Sequence, residues 1–391
     1  MKFTTQISDL QKCLQKVLPA VSQRPAFDLL EKFLFKLSAD ELTIIASDIE
    51  LTILAKLTVQ GEDDGSILVP AKTISDIVKG LTSDEDLIFD TSEEDSTITL
   101  ISGKYTFELQ GVDAEEYIEL PELLKQNPPK EGDENAIFFK QEIIKKMADK
   151  TFFAVSKDDY RVNMTGVLFQ FRDTYVNSAS TDSFRLVRYT HFAEGGQKFP
   201  DDLNLLIPQK AIEVFRKIDA DAILSYNVPT EEKEKPKSLR VDFGNVIMVS
   251  RLIKETFPNY EKIIPVTTNY NATFDIDAFT DAIKVLNTVV NSATKQCKLI
   301  FTTNTLKIVV EDTYKNRKGD SEIQCELEGA DEFVIVFNIS YLNEMISNIS
   351  TNETTNNLIG MYFISNDKAA LIKPKSDTDQ ILEILMPARM N

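Results

Sequence analysis

The chain has 391 residues, 42% of them hydrophobic, with 43 Lys and Arg against 62 Asp and Glu and a formal charge of −19. That length exceeds one ordinary core and leads to an expectation of two or three domains. The charge argues against simple electrostatic adhesion to nucleic acid or an anionic membrane.

The N-terminal "MKFTTQISDL" has one lysine and no apolar run, so it does not read as a signal peptide, and no stretch reaches transmembrane length. Cys13, Cys297 and Cys325 are odd in number, far apart and free of any C-x-x-C pair. Neither a disulfide framework nor a structural zinc site is expected, and a reducing cytoplasm fits best.

In chain order, a short apolar strand runs into an amphipathic helix three times. In "KFTTQISDLQKCLQKVL" the helical face is Leu10, Leu14, Val17 and Leu18. In "IFFKQEIIKKMADKTFFAV" it is Ile143, Ile144 and Met147, and in "ATFDIDAFTDAIKVLNTVV" it is Phe279, Ile283, Leu286 and Val290. A second strand-to-helix unit follows in each third: "SILVPAKTISDIVKGL", "LNLLIPQKAIEVFRKI" and "EFVIVFNISYLNEMISNI". Pro70 and Pro208 end the first two strands, and Asn338 takes that place in the third as an N-cap. Stretches such as "LTIIASDIELTILAKLTV", "GVLFQFRDTYVNSAS" and "KLIFTTNTLKIVVED" alternate with period two and read as antiparallel strands. Each third closes on a hairpin-like pair, the last of which ends in "ILEILMPARMN". The polar joints "KQNPPKEGDEN" and "IPVTTNYN" separate the copies. The expected organisation is α+β, in three tandem domains over residues 1–133, 134–266 and 267–391.

Charge is segregated along this pattern. The helical windows 8–24, 71–80, 140–150, 209–218, 275–295 and 338–349 sum to +5, which leaves −24 for the remainder. Four of the six windows are basic, as a shared surface toward a polyanion would require, and the last two are not.

Catalytic patterns are missing. His191 is the only histidine, and there is no G-x-S-x-G or H-E-x-x-H. "SGKYT" at 102–106 resembles half of a phosphate loop, but Ile98 stands where its leading glycine belongs, and the segment sits in a strand–turn–strand pattern. The paired acids of "SKDDY" and "EEDS" read as solvated loop charges. No catalytic residue, metal site or cofactor is expected.

"MKFT" at the start, "QRP" at 23–25, "VPAK" at 69–72, "STDSFRL" at 180–186, "FPNYEKIIP" at 257–265 and "MPAR" at 386–389 together resemble the bacterial DNA sliding clamp family, the β subunit of the replicative DNA polymerase III. The likeness runs from the first residue to the last. It implies a head-to-tail homodimeric ring, with antiparallel sheets outside and helices lining a channel for duplex DNA. The ring would hold by topology and not by reading bases. Arg24 falls on a DNA-contacting position of the family, and Lys72, Lys79 and Lys210 join it as expected DNA-facing residues.

The resemblance also implies a groove between the second and third domains for short Leu/Phe-containing peptides of the polymerase α subunit, the clamp loader, other polymerases and repair proteins. Its walls would be Met164, Thr181, Ser183, Phe184, Arg185 and Leu186; then Pro258 and Ile263; then Ile384, Leu385, Met386, Pro387, Ala388, Arg389 and Met390. Where many family members carry Gly-His after "TD", this chain has Ser183 and Phe184. Ring closure would use Tyr105, Phe107 and Leu109 of one protomer against Thr288, Val289 and the edge strand near Glu322 to Cys325 of the other. Two alternatives remain open at this point: a peptide-binding repeat scaffold that never encircles DNA, and a metal-dependent hydrolase.

Overall fold

The computed structural model describes residues 1–22, 27–92, 95–133, 135–227, 235–349, 354–376 and 380–389. Its helices are α1 (Ile7–Val17), α2 (Ala71–Gly80), α3 (Glu122–Lys125), α4 (Gln141–Phe152), α5 (Gln209–Phe215), α6 (Ile276–Leu286) and α7 (Ile339–Asn348). The chain forms two compact units, one of Met1–Lys145 with Lys210–Leu252, the other of Lys146–Gln209 with Ile253–Asn391.

The first unit holds two antiparallel sheets. The smaller runs Gln60–Asp63, Lys2–Gln6, Asp86–Thr91, Thr97–Ser102, Tyr105–Gln110, in spatial order. The larger runs from Val112–Asp113 through Gly65–Pro70, Lys32–Ser38, Glu41–Ser47 and Leu51–Thr58, then on to Val246–Arg251, Ser238–Phe243, Ala222–Tyr226 and Ala136–Phe139. Val246 opposite Ala55 and Ser250 opposite Leu51 make the join, so a strand of the second repeat continues a sheet of the first. Period-two alternation puts Phe3, Phe35 and Phe89 on the inner side, where Phe3 and Phe89 stack at 4.8 Å and Phe35 and Phe89 at 5.5 Å. Helix α1 buries Ile7, Leu10, Cys13, Leu14 and Val17, and α2 buries Ala71, Ile74 and Val78. Leu18 departs from the expected face: α1 ends at Val17, the next turn tightens around Pro19, and Leu18 is left exposed.

The second unit carries one continuous antiparallel array. In spatial order its strands are Leu203–Pro208, Gly166–Arg172, Tyr175–Thr181, Arg185–Phe192, Ile381–Leu385, Ala370–Pro374, Leu358–Phe363, Tyr270–Asp275, Arg317–Glu328, Thr305–Asp312, Gln296–Thr302 and Glu332–Asn338. Helix α6 buries Phe279, Ile283 and Leu286, and α7 buries Ile339, Leu342, Met345 and Ile346. Phe274, Phe279, Phe301, Phe333 and Phe363 form a linked aromatic core. Asn338 caps α7 as expected, its side-chain oxygen accepting from the Ser340 amide at 2.9 Å.

The second repeat is therefore shared. Its four strands between 166 and 208 belong to one unit, and those at 136–139 and 222–251 to the other. The cause is edge pairing: at both ends the repeat offers a strand edge that a neighbouring repeat's strand completes. All three cysteines are unpaired and buried, and no described helix is long and apolar enough to cross a membrane.

Candidate functional site

The tail is tied down by a ladder. Strand Ile381–Leu385 lies antiparallel to Arg185–Phe192, with Leu385 opposite Arg185 and Ile384 opposite Leu186. Just beyond it, the Met386 amide donates to the Phe184 carbonyl at 2.8 Å, and the Ala388 amide to the Val336 carbonyl at 2.8 Å. Gln296 Nε2 donates to the Arg389 carbonyl at 3.2 Å. Residues 386–389 are thus held from both sides.

Across the ladder the side chains divide by alternation. Leu186 and Ile384 enter a cluster with Leu168, Ala179, Leu206, Leu371 and Leu382, completed by Phe257 and Tyr260 from the "FPNYEKI" segment. Arg185, one position earlier, goes the other way. Its Nε donates to Asp182 Oδ2 at 3.1 Å and its Nη2 to the Phe153 carbonyl at 2.8 Å, and Nη1 pairs with Glu344. The guanidinium lies 4.7 Å from the Tyr341 ring centre and 5.1 Å from that of Phe153. Five donors in a planar fork suit a site with two carboxylates and a carbonyl.

The turn before Arg185 is held by its own side chains. Asp182 Oδ1 accepts from the Phe184 and Arg185 amides at 2.9 and 3.0 Å, and Thr181 Oγ1 donates to the Arg185 carbonyl at 2.7 Å. Ser183 sits at φ +78°, a left-handed conformation that costs a residue with a Cβ about 1–2 kcal/mol. Arg161 Nη1 donates to Ser183 Oγ at 2.6 Å, and that hydroxyl lies 3.3 Å from Met164 Sδ. Phe184 stacks on Tyr341 at 6.0 Å.

Of the residues expected to line a groove, Phe184 (53% exposed), Ile263 (50%) and Met386 (43%) present apolar surface. Ser183 and Arg389 are exposed as well, and Met164, Pro258, Pro387 and Ala388 are half-buried. Thr181, Arg185, Leu186, Ile384 and Leu385 are buried: Thr181 in the turn's hydrogen bonds, Arg185 against Tyr341, Leu186 and Ile384 in the cluster under Phe257 and Tyr260, and Leu385 opposite Arg185 in the ladder. Met390 lies outside the described residues. Sequence reasoning missed Phe153, Tyr341 and Glu344, which reach Arg185 from elements far away in the chain, and it missed the anchors Phe257 and Tyr260. The last two carried a signal, an aromatic pair at i, i+3 inside the quoted motif.

Among the expected DNA-facing residues, Arg24 lies outside the described residues. Lys72 and Lys79 are exposed on α2, seven apart and so on one face. Lys210 is exposed, and its ammonium pairs with Asp48, a largely buried carboxylate that also accepts the Leu51 amide at 2.8 Å.

Among the sheet edges of the described residues, two carry residues expected at the joint between copies. Tyr105–Gln110 ends its sheet, with Leu100 opposite Phe107 and Ile98 opposite Leu109. Tyr105, Phe107 and Leu109 therefore extend a buried row to an unpaired edge, where Tyr105 is 45% exposed. In the second unit, strand Arg317–Glu328 pairs with Thr305–Asp312 over residues 317–324, and with Tyr270–Asp275 only from Cys325 onward. Glu322 lies on the open half. Cys325 does not: it is buried and opposite Phe274, so the expected edge ends one residue before it. Thr288 is exposed and Val289 half-buried beside that edge, Val289 and Leu286 closing over Gly319.

Three family models match in succession: the DNA polymerase III beta subunit N-terminal domain over residues 1–121, its central domain over 139–259 and its C-terminal domain over 261–389. The chain belongs to the DNA polymerase III beta subunit family. Relatives of this family include beta sliding clamps of Vibrio cholerae, 23% identical over the whole of both chains, and Escherichia coli K12, 24% identical over 89% of this chain and 90% of that one. In fold the chain matches the crystal structure of the Pseudomonas aeruginosa sliding clamp bound to griselimycin, with a TM-score of 0.86 and 22% identity, and that of the Thermotoga maritima beta subunit, with 0.85 and 19%; both comparisons cover all of both chains. The beta-subunit family accounts for the three α+β repeats, each with its own domain model. Its members are accessory subunits of DNA polymerase III.

Proposed function

We propose that this beta-subunit chain acts as a sliding clamp: two copies close head to tail around duplex DNA and tether polymerases to it. The observation that carries the reading is the succession of the N-terminal, central and C-terminal beta-subunit domains, in that order, at residues 1–121, 139–259 and 261–389. The functional domains are taken as 1–133, 134–266 and 267–391.

Two open edges support ring closure, one in each unit. An apolar row that runs out to an unpaired strand is a hazard unless another strand covers it. In a head-to-tail pair, the Tyr105–Gln110 edge of one copy meets the 317–324 edge of the other, with Thr288 and Val289 alongside. Arg24, Lys72, Lys79 and Lys210 would face the duplex. An acidic exterior with basic inner helices disfavours adhesion outside and permits sliding inside, because enclosure and not charge supplies the hold.

The exposed side chains of Phe184, Ile263 and Met386 are the contact surface for partner peptides, and the buried Leu186–Ile384 layer supports them. Partners are the polymerase III α subunit, the clamp loader, and other polymerases and repair proteins bearing Leu/Phe motifs, in the cytoplasm. Two buried anchors at ~1.5–3 kcal/mol each give roughly 3–6 kcal/mol before ordering costs, so a single peptide binds weakly enough to exchange. Two grooves per ring allow tighter retention of a linked complex.

A primer-extension assay with a clamp loader and polymerase tests this. Addition of the protein lengthens the products made per binding event, and unchanged product lengths would refute the reading.

A further inference from the structure

We infer the register in which two copies join, and with it the charge pairs that select it. The inference rests on the head-to-tail reading above and adds which residue stands opposite which.

Each open edge has an inner and an outer row. On Tyr105–Gln110 the inner row is Tyr105, Phe107 and Leu109, opposite the buried Ser102, Leu100 and Ile98, and the outer row is Thr106, Glu108 and Gln110, with Lys104 just before it. On the other edge, Arg317, Gly319, Ser321 and Ile323 lie opposite the buried inner row Asp312, Val310, Ile308 and Leu306, and Lys318, Asp320, Glu322 and Gln324 are outer and exposed. A one-residue slip would turn the apolar row to solvent, so inner must meet inner. Every strand pair among the described residues is antiparallel, and the joint is taken as antiparallel too.

Under those two conditions one alignment satisfies both charges of the first edge. Glu108 stands opposite the partner's Lys318, and Lys104 opposite the partner's Glu322. Thr106 then meets the partner's Asp320, a carboxylate already paired within its own chain to Lys307 at 3.1 Å. On the inner row Phe107 falls opposite the partner's Gly319, the one position of that edge with no side chain. A Cβ there would come within 3.0 Å of Val289 and 3.1 Å of Leu286, so these side chains pack directly on the glycine and the strand backbone opposite Phe107 carries no side chain of its own. Sliding the pairing two residues one way sets Glu108 against Asp320. Sliding it two the other way sets it against Asn316, which carries no charge. Glu108, Lys318 and Glu322 make no ion pair among the described residues of their own chain, which leaves them available across the joint.

A head-to-tail ring has two such joints, and this gives the test a distinctive form. Glu108→Lys and Lys318→Glu are made separately, and dimer dissociation is followed by sedimentation, with circular dichroism to confirm that each variant is folded. Each single variant should dissociate about tenfold more readily, because like charges then face each other at both joints. Mixing the two single variants should restore tight association as a heterodimer. One joint then sets the introduced lysine against the introduced glutamate, and the other keeps Glu108 against Lys318. The double variant should also recover. Dissociation unchanged in the single variants, or folded variants that fail to recover on mixing, would overturn the register while leaving the ring intact. A wild-type monomer at micromolar concentration would instead remove the dimer reading itself.

Discussion

The Met386 amide donates to the Phe184 carbonyl at 2.8 Å, joining the end of the chain to a turn some two hundred residues earlier. Both side chains beside this bond are exposed, Phe184 at 53% and Met386 at 43%. Met386→Ala removes contact surface without touching the bond, which is made by backbone. Peptide affinity should fall by about 1.5–3 kcal/mol, roughly ten- to a hundredfold, with dimer mass unchanged. Fluorescence anisotropy with a labelled Leu/Phe-containing peptide checks it, and full affinity in the variant would show that the surface lies elsewhere.

Leu186→Ala should behave differently. Leu186 is 1% exposed inside the cluster under Phe257 and Tyr260, so its truncation leaves a cavity costing about 2–5 kcal/mol of stability. Denaturant unfolding should show the loss, and peptide binding should fall only as far as the fold does.

Arg240 is 1% exposed and makes two bonds to Asp242, from Nε at 2.6 Å and Nη2 at 2.7 Å, while Nη1 reaches the Leu123 and Gln126 carbonyls at 2.7 and 2.8 Å. It thereby fastens α3 and the following turn to the sheet. Arg240→Ala strands a carboxylate and two carbonyls and should cost about 3–5 kcal/mol. Hydrogen exchange of residues 122–126 should rise in parallel. Arg240→Lys should recover little, because an ammonium cannot span the same four acceptors.

Alkaline pH should destabilise the protein. Burial pushes the Cys297 thiol up to about 12 from 9.0 and the Tyr260 hydroxyl up to about 12 from 10.0. Both are neutral in the folded chain over a range in which the unfolded chain has lost their protons. Stability is therefore level through neutral pH, begins to fall near the unfolded thiol value and keeps falling until the folded groups ionise. Urea midpoints across that range check the slope, which Cys297→Ala should make shallower.

Much of this architecture was legible locally. Helix α2 begins after Pro70 and ends at Gly80, as its proline and apolar spacing indicate, and Asn338 caps α7 as its chemistry requires. In the tail, "ILEIL" reads as a strand from its own residues, while its role as a surface came only from the family resemblance. Other features left no local trace. The meeting of Arg185 with Glu344 and Tyr341 depends on two elements brought together across more than a hundred and fifty residues, which no periodicity encodes. The same holds for the sharing of the second repeat between two units, an outcome of which strand edges find partners. The burial of Leu186 and Ile384 was hidden because a motif names residues near a surface without saying which alternate ones point away from it.

The central claim is enclosure, and the most direct measurement follows the protein on a circle that is then cut. Loaded by a clamp loader onto nicked circular DNA, it should survive a high-salt wash and be released when the circle is linearised, because a topological link ignores ionic strength and needs an unbroken track. Release by salt alone, or retention on linear DNA at high salt, would contradict it.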